Sequence, residues 1–150
     1  MNDQQNFFKL LKYSNELKRN NKDLSKQDSE AFDILLKFLV IIEDNFHYSE
    51  KHEYINLAKD FLADQITADD FSYSFMAIYE GITRKVGQMK RTESLELANF
   101  LKPSRPELGR LLARIYGSCD SFSPDPEIAM SDEEELKDCA QILLLKLQEE

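Results

Sequence analysis

Apolar residues recur along this chain with the spacing of helices. Phe7, Leu10, Leu11, Ser14 and Leu17 fall at i, i+3, i+4, i+7 and i+10, one stripe of a helix. The polar run KRNNKD, residues 18–23, ends that stripe. The stretch SKQDSEAFDILLKFLVIIEDNF predicts a second helix over about 28–46, apolar almost all the way round. Such a helix is either central in a bundle or half of an interface. HYSEKHE, residues 47–53, reads as a polar, solvated linker. EYINLAKDFLADQ predicts a third helix, with Tyr54, Ala58, Phe61 and Leu62 on one side.

ITADDFSYSFMAIYEGI predicts a fourth helix. Thr67 suits its N-cap, and Asp70 stands three residues on, close to a capping box. Its stripe is Phe71, Phe75, Ile78 and Ile82, which leaves Tyr73 and Tyr79 off the core face. Gly81 and Gly87 flank TRKVGQMKRT, residues 83–92, read as a loop or a frayed helix end. ESLELANFL predicts a short helix stopped by Pro103. SRPELGRLLARIY begins with Ser104 and Glu107 in S-x-x-E spacing and carries the stripe Leu108, Leu111, Leu112 and Ile115. GSCDSFSPDPEIAM reads as a loop with two prolines. Ser131 and Glu134 predict a capping box for a last helix, with Leu136, Cys139, Ala140, Leu143 and Leu147 on its core side. No strand alternation, internal repeat or low-complexity tail is visible. The expectation is an all-α helical bundle in one domain.

Composition agrees with that expectation. Four Gly and four Pro in 150 residues are too few for a turn-rich β protein. A hydrophobic content of 42% is enough for a real core at this length. The longest apolar run, ILLKFLVII, is interrupted by Lys37 and too short to cross a bilayer, and no secretory signal is visible. Cys119 and Cys139 have no metal or redox spacing. They read as two free thiols of a cytoplasmic protein, with a disulfide between them left open.

Charge changes the picture more. The net charge is −9. Residues 1–50 carry 7 basic and 9 acidic groups, residues 51–117 carry 10 and 9, and residues 118–150 carry 2 and 10. Nearly all the excess therefore lies in the last fifth of the chain. That end repels phosphates, which disfavours nucleic acid and anionic membrane as its partners. It suits a basic protein partner drawn in by electrostatic steering. The acids concentrate in SPDPEIAMSDEEEL. Two readings stand side by side: a strongly marked helix start, favoured by the macrodipole, or a surface for a basic partner.

Catalytic chemistry is sparse. His47 and His52 are five apart and do not converge on one helix face, and with Glu50 and Glu53 they match no ligand pattern. Neither cysteine has a histidine near it in sequence, and no Gly-rich phosphate loop or nucleophile elbow occurs. The sequence is read as non-enzymatic, with no cofactor and no metal. The basic cluster Arg84, Lys85, Lys90 and Arg91 lacks interleaved aromatics and reads as a solvated loop or a partner for the chain's own acidic end.

YINLAKDFLADQITADDFSYSF, FSPDPEI and the closing Leu-rich helix together resemble the colicin D-type immunity family, the bacterial colicin-like immunity proteins. The resemblance covers about residues 53–148 and rests on the I-x-LAK-x-FL helix, the ITA-x-x-FS helix start and the F-x-PD acidic loop. It implies an antiparallel four-helix bundle over 53–148, to which residues 1–52 add an N-terminal helical pair on the apolar spacing described above. It also implies an inhibitor that covers the active site of a basic, tRNA-cleaving toxin domain, acidic side chains standing in for tRNA phosphates. By motif the implied contacts are Asp125 and Glu127; Asp120 and Glu133 join them on charge. Residues 1–52 and the long 81–107 segment depart from the family pattern. The rival expectation is a helical adaptor or homodimer, associating through the stretch 32–42, from Phe32 to Ile42.

Overall fold

The computed structural model describes residues 2–101, 106–125, 127–129 and 131–148. The fold is all-α. Its helices are α1 (Asp3–Arg19), α2 (Leu24–Gln27), α3 (Ser29–Ser49), α4 (Lys51–Leu62), α5 (Ala68–Arg91), a 3-10 helix (Leu95–Phe100), α6 (Pro106–Ser121) and α7 (Glu133–Leu147). Among the described residues the only β-type pairing is one isolated bridge, Phe122 with Ser131.

The chain divides into two compact units. One comprises residues 1–46 and 84–106, the other residues 47–83 and 107–150. This division is discontinuous in sequence. Both α3 and α5 contribute residues to each unit.

In the first unit, Asn2 and Gln5 close a capping box on α1. Phe7, Leu11, Leu24, Leu35, Ile42, Phe46, Val86, Met89 and Leu97 are its buried apolar residues. Phe7 meets Phe38 edge to face, and Phe46 lies against Phe100 with ring centroids 4.7 Å apart. Buried Asn15 donates from Nδ2 to the Lys90 carbonyl at 3.0 Å and to the Glu93 carboxylate at 3.2 Å. Three helices end in the same way. Asn21, Asp64 and Glu93 all have φ between 53° and 56°, the left-handed region in which glycine is the usual occupant. In each case the next residue donates its amide back into the last turn, as Lys22 does to Leu17, Gln65 to Asp60 and Ser94 to Met89. Glu93 is held in place by Asn15, which gives one reason why a non-glycine residue persists there.

In the second unit, α4 packs on α7. Phe61 stacks on Phe71 at 4.6 Å, joining α4 to α5, and Phe75 lies 5.3 Å from Tyr54. Leu108, Leu112 and Ile115 of α6 and Leu136, Ala140, Leu143 and Leu147 of α7 are buried, as their spacing predicts, while Leu111 and Cys139 of the same expected stripes are half-buried. Full burial of each large apolar side chain is worth about 1.5–3 kcal/mol.

Several expectations need correction. Residues 47–53 are not a linker: α3 runs to Ser49 and α4 starts at Lys51. His47 is only 2% exposed, because its ring stacks on Tyr79 at 4.9 Å and its Nδ1 stands 2.8 Å from the Tyr54 hydroxyl. Residues 83–91 are helix, not loop. Val86 and Met89 continue the buried stripe of Phe71, Phe75 and Ile82, and that burial carries α5 through Gly81 and Gly87. Lys90 and Arg91 then fall in its last turn, where the macrodipole favours cations. The two-proline loop is shorter than expected, since α6 keeps residues 117–121 and buries Cys119. Ser131 does not cap α7. Its hydroxyl is taken by the Ser118 carbonyl, and Asp132 caps instead, accepting from the Glu135 amide at 2.9 Å. The expected Ser104 cap lies outside the described residues.

Candidate partner-binding groove

Two chain segments far apart in sequence build one concave surface in the second unit. The first is the α4–α5 turn. Asp64, in its left-handed conformation, reverses the chain, and Lys137 of α7 holds its carboxylate at 2.6 Å while also donating to the Phe61 carbonyl. Thr67 then caps α5: its Oγ1 accepts from the Asp70 amide at 3.1 Å, and the Asp70 carboxylate accepts from the Thr67 amide. That capping box is the one the sequence predicts. Asp69 and Asp70 stand in the first turn of α5, a favourable place for negative charge.

The second segment is the loop from Phe122 to Ser131. It is closed at its base by the Phe122–Ser131 bridge, the Ser131 amide on the Ser121 carbonyl and the Ser131 hydroxyl on the Ser118 carbonyl. Inside the loop, Asp125 shapes a turn. Its carboxylate accepts from the Glu127 amide at 3.0 Å, and its own amide donates to the Ser123 hydroxyl. Asp side chains commonly fold turns this way.

Between these segments lies a groove of about 770 Å³. Ile66, Ala68, Phe122, Pro124 and Ala129 supply apolar lining. Asp64, Asp69, Asp70, Asp132 and Glu133 supply five carboxylates, all on exposed residues. Lys137 beside Asp64 is the cation that offsets one of them. Apolar lining rimmed by one sign of charge suits an apolar or aromatic side chain flanked by Arg or Lys.

The four residues singled out from sequence go to different places. Glu133 lines the groove. Asp125 and Glu127 are exposed in the loop, while their loop neighbours Phe122, Ser123, Pro124 and Ala129 line the groove. Asp120 is on α6 rather than in the loop, exposed in its last turn. There it adds its charge beside Tyr116, whose hydroxyl donates to Glu80, and that bond above all pushes the phenol up to about 12. Sequence reasoning missed Asp64, Asp69, Asp70 and Asp132 as site residues. The signal for Asp64, Asp69 and Asp70 is the run DQITADD, of which the capping box uses Asp70 alone, and Asp132 stands in the acidic stretch SPDPEIAMSDEEEL.

Charge sorts between the two units. The unit of residues 1–46 and 84–106 holds 13 basic and 10 acidic side chains; the other holds 6 basic and 18 acidic, a balance of −12. Among the described residues no group of three His, Cys, Asp or Glu side chains is placed to hold a metal ion. No described helix is long and apolar enough to cross a membrane. Neither cysteine is in a disulfide; burial pushes the Cys119 thiol up to about 12 and raises that of Cys139. No known protein family, curated protein or solved structure matches this chain.

Proposed function

We propose that this protein is a non-catalytic inhibitor of the immunity type, which docks a basic ribonuclease domain against its acidic unit. In this reading about residues 53–148 act as an immunity-type four-helix bundle in the cytoplasm, with the acidic unit of residues 47–83 and 107–150 supplying the docking surface. The observation that carries it is the groove, where two distant segments bring five carboxylates around an apolar lining. A nuclease that holds tRNA phosphates must present Lys, Arg or His, and a carboxylate array offers those groups the matching charge. The motif resemblance to colicin-like immunity proteins points the same way. Asp125 and Glu127 extend the acidic surface beyond the groove, and Asp120 on α6 adds to the same unit's charge.

The test is capture from host lysate at low salt, identification of what is retained, and assay of its tRNA cleavage with the chain added back. A basic nuclease is expected, inhibited stoichiometrically by the native chain. The triple variant Asp69→Asn/Asp132→Asn/Glu133→Gln should lose most of that inhibition. Asp125→Asn/Glu127→Gln should mainly slow association and flatten its salt dependence. A retained protein with no nuclease activity, or full inhibition by the triple variant, refutes the proposal.

One observation favours a second reading, a self-associating helical adaptor. Leu36 and Val40, one turn apart on α3 within the expected 32–42 interface, are 45% and 46% exposed. Sedimentation giving a concentration-independent monomer removes that reading.

A further inference from the structure

The second unit is strongly acidic, yet its few cations are not dispersed. Of its six Lys and Arg residues, Arg110, Arg114 and Lys146 line a single smaller groove of about 360 Å³. Glu107 and Leu111 complete the described lining. Lys146 of α7 holds the Glu107 carboxylate of α6 at 3.0 Å, and that contact keeps the Glu107 carboxyl below its ordinary range. The arginines are different. Both are exposed, and among the described residues neither guanidinium makes an ion pair or a hydrogen bond, although 18 acids share their unit.

Arg110 and Arg114 are four residues apart on one helix, so their Cβ atoms stand roughly 5–6 Å from each other. Like charges at that spacing repel, and Glu107, though it feels the Arg110 charge, accepts its hydrogen bond from Lys146. The arrangement becomes favourable when one anion accepts from both forks. A carboxylate has two oxygens and is satisfied by a single guanidinium. A phosphate monoester carries about −1.5 to −2 charge and three terminal oxygens, enough for both forks at once. Leu111, between the two arginines in sequence and facing the same groove, gives the esterified group an apolar contact.

We propose that the α6–α7 groove is a binding site for a small phosphate monoester, held by Arg110 and Arg114 with Lys146 at its edge. This site shares no lining residue with the acidic groove and does not depend on any toxin partner.

The test is a titration of the full-length native chain with inorganic phosphate and with phenyl phosphate, at constant ionic strength, followed by amide NMR shifts. The expected result is saturable shifts centred on residues 107–114 and around Lys146, with half-saturation at or below about 1 mM. Arg110→Gln/Arg114→Gln should weaken binding by roughly tenfold or more, whereas Lys59→Gln, a neutralised lysine of the same unit outside the groove, should leave it unchanged. Tighter binding of phenyl phosphate assigns the site to an ester, and equal binding assigns it to free phosphate. Absence of saturation by about 10 mM, or equal shifts in the double arginine variant, overturns the proposal.

Discussion

Two buried ionisable groups on α3 should tilt the pH dependence of stability in opposite directions. His47 is buried with Nε2 unpartnered, and burial lowers it from 6.5 to about 4. Asp44 is buried with Oδ2 unpartnered, and burial first, then the neighbouring Glu43 charge, raises it from 3.8 to about 6. Consider acidification from neutral pH. Between about 6.5 and 4 the unfolded chain protonates His47 and the folded chain does not, so stability falls. Between about 6 and 3.8 the folded chain protonates Asp44 and the unfolded chain does not, so stability rises. Each tenfold change in proton activity across such a gap is worth about 1.4 kcal/mol, so each residue accounts for about 3 kcal/mol over its window. The two effects nearly cancel in a chain that unfolds in one transition.

Single substitutions should expose them. Asp44→Asn removes the buried charge and is expected to stabilise by about 3 kcal/mol at neutral pH, the gain vanishing near pH 4. His47→Gln removes the opposing term, so the native chain should lose about 3 kcal/mol relative to this variant as pH falls from about 6.5 to 4. Urea unfolding followed by far-UV circular dichroism, repeated across that range for all three proteins, measures both differences. A native-minus-variant difference that does not change with pH for either substitution refutes the assignment of that residue as a buried, shifted group.

Two further outcomes are expected. Asn15→Ala removes donors to the Lys90 carbonyl and the Glu93 carboxylate, and should cost about 2 kcal/mol in urea unfolding; a loss under about 0.5 kcal/mol would show that neither bond matters. Cys139 should react with a thiol reagent at mildly alkaline pH well before Cys119, whose thiol is buried and held up to about 12; equal rates would contradict that burial.

The sequence by itself determined what is local. Periodicity located the helices, because a helix that buries one face must repeat its apolar residues every three to four positions. It placed the core sides of α6 and α7 for the same reason, and the three-residue spacing of Thr67 and Asp70 placed their capping box. Where a local signal had two uses, sequence could not choose between them. Gly81, Gly87 and four cations resembled a loop, but buried Val86 and Met89 kept α5 helical. Ser131 resembled a cap, but the Ser118 carbonyl took its hydroxyl. His47 resembled a solvated linker residue, but Tyr54 and Tyr79 enclosed it.

Tertiary structure alone decided the sites. Asp64, Asp69 and Asp70 meet Asp132 and Glu133 only because α4 packs on α7 and the 122–131 loop is closed at its base. Lys146 reaches Glu107 across 39 positions of chain. The units themselves join residues 1–46 to 84–106 and residues 47–83 to 107–150, so each unit's balance, +3 or −12, is summed over two separate stretches of chain. Helix propensity acts over a few residues and is visible in a linear pattern, whereas a groove or a charge asymmetry is a sum over packed neighbours that only folding brings together.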